Sequence, residues 1–433
     1  MKKNIALINP NSPFLINERV FPNMGLVRVA TQLQKDGHKV DLYDFAGRNE
    51  SEINTKIENI AHNYDIYGFS STTPQFPYIM KIFNKLKESN PNAKTIIGGA
   101  HVSALYHLRE KKIKDVNIND LEVFDTIFAG EGEDTAKIFG DGWQKGKIIK
   151  NIDDVLIPDR KFLDMNSYDY KLFGHSTTSI QTQRGCPHKC TFCSGRDIEM
   201  YNRIRTHSPK RVLQEMDELH EEYGFESYMW YDDEININIG RLEKLCGELK
   251  KRPYQHRGFV RSDNIVKYPD SVKWMKDAGF VKLCTGVESG SDRMLRNDNK
   301  KTTSKMNSIA RELIKNQGIH YEAFTLLGHP DEKIEDVIDT YNWLIENKPD
   351  DFDINIITPY PGSKIYDDAK PSKKFNNYKW EFNGLYFNKP RYSQEDSFYK
   401  GHDGLSESNI RTNNLTNRQL KILRNEIEEY IRK

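Results

Sequence analysis

Over the first 150 positions, apolar residues come in short runs that end in polar or glycine-rich turns. IALIN (5–9), KVDLYD (39–44), DIYGFS (65–70), TIIGG (95–99) and TIFAG (126–130) read as buried parallel strands. Between them the period lengthens. Over 24–34, Leu26, Val29, Ala30 and Leu33 recur on one helical face with Gly37 as the stop, and 77–88 is a second amphipathic segment. Four or five strands with helical crossovers predict a doubly wound, Rossmann-like (flavodoxin-like) α/β domain over 1–150. In such sheets ligands bind beyond the carboxyl ends of the strands. The pattern alone leaves open whether those ends are ligand contacts or ordinary βα turns.

Residues 151–175 show no period and read as a linker. A second strand–helix series follows: TSIQTQR (178–184), SYMWYDDE (227–234), RGFVRSD (257–263), KLCTGVE (282–288), YEAFTLLG (321–328) and DINIIT (353–358). Its clearest helix spans 208–223, with Ser208 as N-cap, Pro209 in the first turn, Val212, Met216, Leu219 and Tyr223 on one face, and Gly224 as the stop. Six such units predict a partial (β/α)6 barrel of the TIM type over 176–370, open rather than closed. Residues 371–433, rich in Asn, Lys, Tyr and Asp and ending in a charged helix over 417–432, are expected to form a small C-terminal cap or tail.

The length of 433 residues allows two or three domains. Lys and Arg number 64 against 63 Asp and Glu, so there is no charge excess of the kind a nucleic-acid backbone attracts. No apolar run approaches the ~20 residues of a membrane helix. The five-residue run after the first lysines passes into Asn-Pro-Asn, as a strand does and a signal peptide does not. The expected compartment is the cytoplasm.

Of five cysteines, none precedes Cys186, and three fall within RGCPHKCTFC. A disulfide framework would spread and pair them, whereas a tight, odd-numbered group points to metal. Thiolates suit both iron–sulfur clusters and zinc. Structural zinc takes four ligands. Cys186, Cys190 and Cys193 supply three, and His188 lies inside the loop, where reaching the same metal would be strained. A cubane held by three cysteines leaves one iron open to an external chelate. Cys246, in a helical pattern, and Cys284, in a strand, read as small buried residues.

C-x3-C-x2-C with an aromatic residue, Phe192, before the last cysteine resembles the signature of radical S-adenosylmethionine (SAM) enzymes. The first domain is similar to the cobalamin-binding domain that one subgroup carries, so the resemblance covers nearly the whole chain. It implies that Cys186, Cys190 and Cys193 hold a [4Fe–4S] cluster and that SAM chelates the open iron. One-electron reduction then releases a 5′-deoxyadenosyl radical that takes hydrogen from substrate. The resemblance also implies a SAM site made of Phe192 and the strand ends. Tyr231, Asp232, Asp233 and Glu234 lie near the amino group and Arg261 with Asp263 ends the third strand. Glu288, Ser289 and Gly290 lie near the ribose and carboxylate, and Gly328 of LLGHPDE near the adenine. From the residues alone, strand-end carboxylates also cap helices, and Arg261 suits an internal ion pair equally.

Cobalamin domains that ligate cobalt through histidine carry D-x-H-x-x-G after their first strand, where this chain reads Asn9-Pro10-Asn11-Ser12-Pro13-Phe14. The resemblance therefore implies base-off cobalamin, with Asn9 and Asn11 at the first strand end and Ser70, Thr72, Thr73 and Gln75 beneath the corrin. Gly98, Gly99, Gly130, Glu131, Gly132 and Glu133 would flank the nucleotide tail, and His101, after Gly98-Gly99, is a pocket-lining candidate. Such domains also occur in degenerate form, without a corrinoid. The expected function is a cobalamin-dependent radical SAM methyltransferase acting on an unactivated carbon. Radical cyclisation, rearrangement or oxidation uses the same parts, and a non-catalytic zinc module is a third reading. A flavodoxin- or ferredoxin-type electron donor is implied. Charge balance favours a small-molecule, lipid or peptide substrate over nucleic acid. Tyr360, Tyr366, Trp380, Tyr386 and Phe387 either line a pocket or simply pack.

Overall fold

The computed structural model describes residues 2–113, 116–391, 393 and 409–433. They form two compact units, one reaching Asp169 and the other starting at Tyr170. Residues 394–408 of the expected cap lie outside the described residues.

The described residues of the first unit form a six-stranded parallel sheet, β2-β1-β3-β4-β5-β6. The strands are β1 (Asn4–Asn9), β2 (Lys39–Asp44), β3 (Ile66–Ser70), β4 (Thr95–Gly98), β5 (Thr126–Ala129) and β6 (Gly142–Lys145). Ile5 to Asn9 are all buried, as a central strand covered on both faces requires. The helix Met24–Lys35 buries Leu26, Ala30 and Leu33 against Ile5, Leu7 and Val40. Asn23 starts it by accepting the Leu26 N–H. The sequence reading lacked two α-helices, Glu50–Ile60 and Ala100–Glu110, and one strand. The helix Glu50–Ile60 buries only Ile53, Ile57 and Ile60, a thin stripe, and stands on an Asn49–Glu52 capping box. The polar edge strand β6 pairs with β5 from Thr126↔Gly142 to Ala129↔Lys145 but has no apolar run to mark it.

Residues 151–169, within the stretch expected to be a linker, belong to the first compact unit. Asn151, Asp159 and Asp164 each accept a backbone N–H two residues on and start short 3-10 turns. Ile152, Arg160 and Met165 are buried, and the Asp159 N–H donates to Thr31 in the first unit.

In the second unit, β7 (Lys171–Leu172) pairs antiparallel with β8 (His175–Ile180). Next in the chain come β9 (Gln183–Arg184) and β10 (Arg205–Thr206), which pair antiparallel with each other. β11 (Ser227–Trp230), β12 (Gln255–Val260), β13 (Phe280–Glu288), β14 (His320–Leu327) and β15 (Asp351–Ile356) continue in parallel from β8. The order β15-β14-β13-β12-β11-β8-β7 does not close, so the described residues form a partial barrel. Trp230, Tyr228, Phe280 and Tyr321 are fully buried among its strands. The helix Pro209–Tyr223 begins at Ser208 and ends at Gly224, which is left-handed at φ +71°. The chain leaves the sheet after Ile180, earlier than the run 178–184 suggested.

Beyond the barrel, β16 (Lys370–Phe375), β17 (Tyr378–Phe382), β18 (Leu385–Phe387) and β19 (Ile410–Thr412) form an antiparallel sheet, followed by the helix Asn417–Arg432. Tyr366, Tyr386 and Phe387 are buried there, with Tyr366 and Phe387 ring centroids 6.3 Å apart, so these three pack. Cys246 and Cys284 are buried. Among the described residues, no helix is long and apolar enough to cross a membrane.

The β4 end depends on Gly99, at φ +103°, where an added Cβ would lie 2.7 Å from the backbone N and O of Ser71. Gly99→Ala is expected to lower the unfolding free energy by about 2–3 kcal/mol, read by urea denaturation. Gly247→Ala, in a helix with open space around it, is expected to stabilise by about 0.5–1 kcal/mol.

Candidate cluster and cofactor site

The cysteine loop follows β9 and is fastened by groups from distant parts of the barrel unit. Asp232, at the end of β11, accepts the N–H of Thr182 at 2.7 Å and of Gln183 at 2.9 Å, and also the Thr182 hydroxyl. Gln183 Nε2 donates to the Glu234 carbonyl at 2.9 Å. Gly185 turns the chain at φ +88°, and an added Cβ there would meet Arg203 O at 2.3 Å. The Cys186 N–H then bonds to Tyr201 O at 2.9 Å.

Further along, the Thr191 N–H and hydroxyl donate to the carbonyl (3.0 Å) and carboxylate (3.1 Å) of Asp298. Ser194 Oγ donates to Pro361 O at 2.7 Å, and the Gly195 N–H to Gly362 O at 2.8 Å. Asp298 is itself held by His329, and both side chains are fully buried. Burial opposes charge on His329, but the Asp298 carboxylate prevails and raises its pKa to about 10. The neighbouring Glu332 is pushed up to about 7 by burial, with His329 pulling the other way.

Cys190 is buried, Cys186 and Cys193 are half-buried, and all five cysteines are free. Burial pushes the Cys186 thiol up to about 12, and Glu234 adds to the effect. Burial also raises Cys190 and Cys193, against the pull of Lys300 and Arg261 on the first and Arg196 on the second. Three desolvated thiols beside three cations suit an anionic metal cluster, which supplies the charge that burial denies the thiolates. The buried Arg196 Nε has no hydrogen-bond acceptor, as expected if the acceptor is the cluster itself. Among the described residues, the three sulfurs are not grouped within 4.8 Å of one another, as a single tetrahedral ion would require.

The strand-end residues divide. Glu234 turns toward the loop, with Oε2 3.6 Å from Cys186 Sγ, 3.2 Å from His188 Nε2 and 3.8 Å from Arg261 Nε. Arg261 also pairs with Asp263 at 3.0 Å and donates to Lys300 O at 2.7 Å. Glu288, at φ +63° beside a register shift between β13 and β14, meets Lys300 Nζ at 2.7 Å. A non-glycine residue in that conformation stores strain that the ion pair holds in place. Phe192 is half-buried, Tyr231 is exposed, and Asp233 pairs with Arg196 at 3.3 Å.

Three residues expected to touch SAM also make contacts inside the protein. Asp232 ties down the loop. Ser289 is buried and lies 3.1 Å from the Thr340 hydroxyl. The Gly328 N–H donates to Glu332 at 2.5 Å, and an added Cβ there would meet Ile410 at 2.4 Å. Arg196, Asp298, Lys300 and His329 escaped the sequence reading. RNDNKK shows no period, and only a search for cations next to the cysteines would have raised Arg196.

In the first unit the strand order reverses at β1, between β2 and β3, which is the switch point where doubly wound sheets bind ligands. Thr72 is exposed there and shares its N–H and hydroxyl with Gln75 Oε1, while Gln75 Nε2 donates to Ser12. Asn11, Ser70, Gly98, Gly99, Gly130, Gly132 and Glu133 are partly exposed. Four other expected contacts face inward. Asn9 bonds to Asp44 and Asn23. Glu131 accepts the Ile149 N–H. His101 is buried, with Nδ1 3.1 Å from the Thr73 hydroxyl and its ring 4.8 Å from Phe76, and burial lowers its pKa to about 3. His101 is a neutral core residue, not the pocket-lining group expected.

Residues 180–344 match the family model for the radical SAM superfamily, and residues 18–139 that for the B12 binding domain. An uncharacterized methyltransferase of Pyrococcus horikoshii is 27% identical over 385 residues, 83% of this chain and 81% of its own. An anaerobic magnesium-protoporphyrin IX monomethyl ester cyclase of Synechocystis is 24% identical over 409 residues, 87% of this chain and 80% of its own. Among solved structures, the radical SAM methyltransferase TsrM of Kitasatospora setae, with cobalamin and a [4Fe–4S] cluster bound, aligns with a TM-score of 0.63. That match has 14% identity and covers 84% of this chain and 74% of TsrM.

Because the ordinary histidine pKa is near 6.5 and that of His329 is raised, its pair with Asp298 contributes in full below about pH 6.5. That contribution fades as pH climbs through about 10. His329→Leu is expected to cost about 3–5 kcal/mol at pH 6. In thermal melts the gap from the parent protein should narrow at pH 10. A constant gap would contradict the charged pair.

Proposed function

This chain belongs to the radical SAM superfamily, in the group with a B12-binding domain ahead of the barrel, and from that premise we propose that it transfers a methyl group to an unactivated substrate carbon. Its cofactors are a [4Fe–4S] cluster, SAM and cobalamin. Bound together, they supply a 5′-deoxyadenosyl radical that takes a hydrogen atom from substrate, and a methyl group for the carbon so opened.

The chain's own residues hold and shield. In this reading Cys186, Cys190 and Cys193 bind the cluster, and Arg196 offsets its negative charge. Glu234, with Arg261 beside it, receives the SAM amino group. The Lys300–Glu288 pair presents one charge of each sign to the ribose and carboxylate. Burial of Cys190 and of the loop's anchoring hydrogen bonds keeps water away from the radical.

The observation that carries methyl transfer is the intact switch point of the first unit. Its sheet is complete and ends in exposed, polar Thr72 and half-buried Gln75, with no histidine in the first turn to serve as a lower ligand to cobalt. Thr72, Gln75 and Asn11 would hold cobalamin there, and the bound cofactor would supply the methyl group. The cyclase relative supports a second reading, in which the substrate radical is oxidised or closes a ring instead. The electron donor is of the flavodoxin or ferredoxin type, and the substrate is a small molecule, lipid or peptide.

Protein reconstituted anaerobically with iron, sulfide and hydroxocobalamin is then given SAM and dithionite. Methyl transfer predicts both S-adenosylhomocysteine and 5′-deoxyadenosine, and Cys186→Ala abolishes the 5′-deoxyadenosine. Full corrinoid loading with 5′-deoxyadenosine but no S-adenosylhomocysteine would replace the methyltransferase reading with the second one.

A further inference from the structure

His188, which looked too constrained to share a metal with its own loop, faces the side of Cys186 that Glu234 occupies. Cys186 Sγ, His188 Nε2 and a Glu234 carboxylate oxygen all lie within 4.8 Å of one another. Two separations are resolved more finely, at 3.6 Å from sulfur to oxygen and 3.2 Å from nitrogen to oxygen. With zinc bonds of about 2.3 Å to sulfur and about 2.0–2.1 Å to nitrogen and oxygen, a tetrahedron has edges of about 3.6 Å and about 3.3 Å. The ligand atoms therefore already stand nearly where a single tetrahedral ion would need them.

The site is also desolvated and short of partners. The Glu234 side chain is 3% exposed and that of His188 18%. Neither Glu234 Oε1 nor His188 Nε2 has a hydrogen bond of acceptable geometry. Among the described residues, Glu234 is met by Arg261, whose Nε lies 3.8 Å from Glu234 Oε2 and whose stronger partner is Asp263 at 3.0 Å, while Arg196 donates to the Cys186 carbonyl at 3.3 Å. Thiolate, imidazole and carboxylate form a donor set suited to zinc and foreign to magnesium or calcium.

We propose that the cluster-free chain binds one zinc ion through Cys186, His188 and Glu234, so that zinc and the iron–sulfur cluster exclude one another at Cys186. Binding releases the Cys186 thiol proton to solvent and involves no change of oxidation state. Cys190 and Cys193 take no part. The inference rests on the cluster reading only in naming what zinc displaces.

The test is a Co²⁺ titration of reduced, cluster-free, full-length protein under argon, with Co²⁺ as the visible stand-in for zinc. The expected result is one Co²⁺ per chain, with a single thiolate-to-metal charge-transfer band that Zn²⁺ bleaches. His188→Ala and Glu234→Gln should each weaken binding by more than about tenfold, while the double variant Cys190→Ala/Cys193→Ala binds as the parent does. Absent binding, indifference to His188→Ala, or loss in the double variant would each overturn the proposal. If Glu234→Gln does not fold, judged by circular dichroism, His188→Ala carries the test alone. Zinc preloading should also slow iron–sulfide reconstitution of the parent but not of His188→Ala, and equal slowing would count against the site. Reconstitution without zinc tests the cluster itself, so failure of that reading is seen separately.

Discussion

Thiols buried together at the end of a strand lose the solvation that would let them ionise, and in this chain burial raises all three of the loop's cysteines. Their placement is bearable only because the loop is fixed in advance and because cations stand ready around it. Two buried carboxylates do much of the fixing. Asp232 gathers the N–H groups of Thr182 and Gln183, and Asp298 gathers Thr191 and is held in turn by His329. Each carboxylate comes from a different strand–helix unit, so the geometry of the loop is a property of the assembled barrel. A cofactor that is an electron source gains from such rigidity, since a loop fixed before loading has less ordering left to do when the metal arrives.

The first unit is built on the same economy with different parts. Its binding edge is made of turns whose shape is set by close backbone contact. Gly99 sits against Ser71, and an added Cβ at Gly130 would lie 3.3 Å from the backbone of Gly146. These glycines need no ligand to explain them. What remains for a ligand is the polar fringe at the reversal of strand order, chiefly Thr72, Gln75 and Asn11. A residue type that looks like cofactor contact in a sequence can thus be demanded by the protein's own packing.

Both sheets were legible in the sequence because buried parallel strands leave continuous apolar runs. The barrel was legible because six such runs alternate with capped helices such as Pro209–Tyr223. The cysteine loop was legible because thiol spacing is local. The rest depended on contacts that no local pattern carries. Asp232 reads as one of four polar residues after β11, and only the fold separates its anchoring role from the role of Glu234 two residues on. Lys300 and Asp298 lie in a charged stretch that looks like solvated surface, yet both are buried. β6 and β16 were missed because they are polar and partly or fully exposed, and β18 and β19 because a three-residue strand is too short to show a period.

The central claim is that three cysteines leave one iron open for SAM to occupy. The most direct measurement is the electron paramagnetic resonance spectrum of the reduced, fully iron-loaded protein, recorded before and after SAM is added without substrate. Coordination of the amino and carboxylate groups to the open iron predicts a shift of the cluster's g-values. The shift should be lost when SAM is replaced by 5′-deoxyadenosine. A fully loaded, reduced cluster whose spectrum does not respond to SAM would contradict the account.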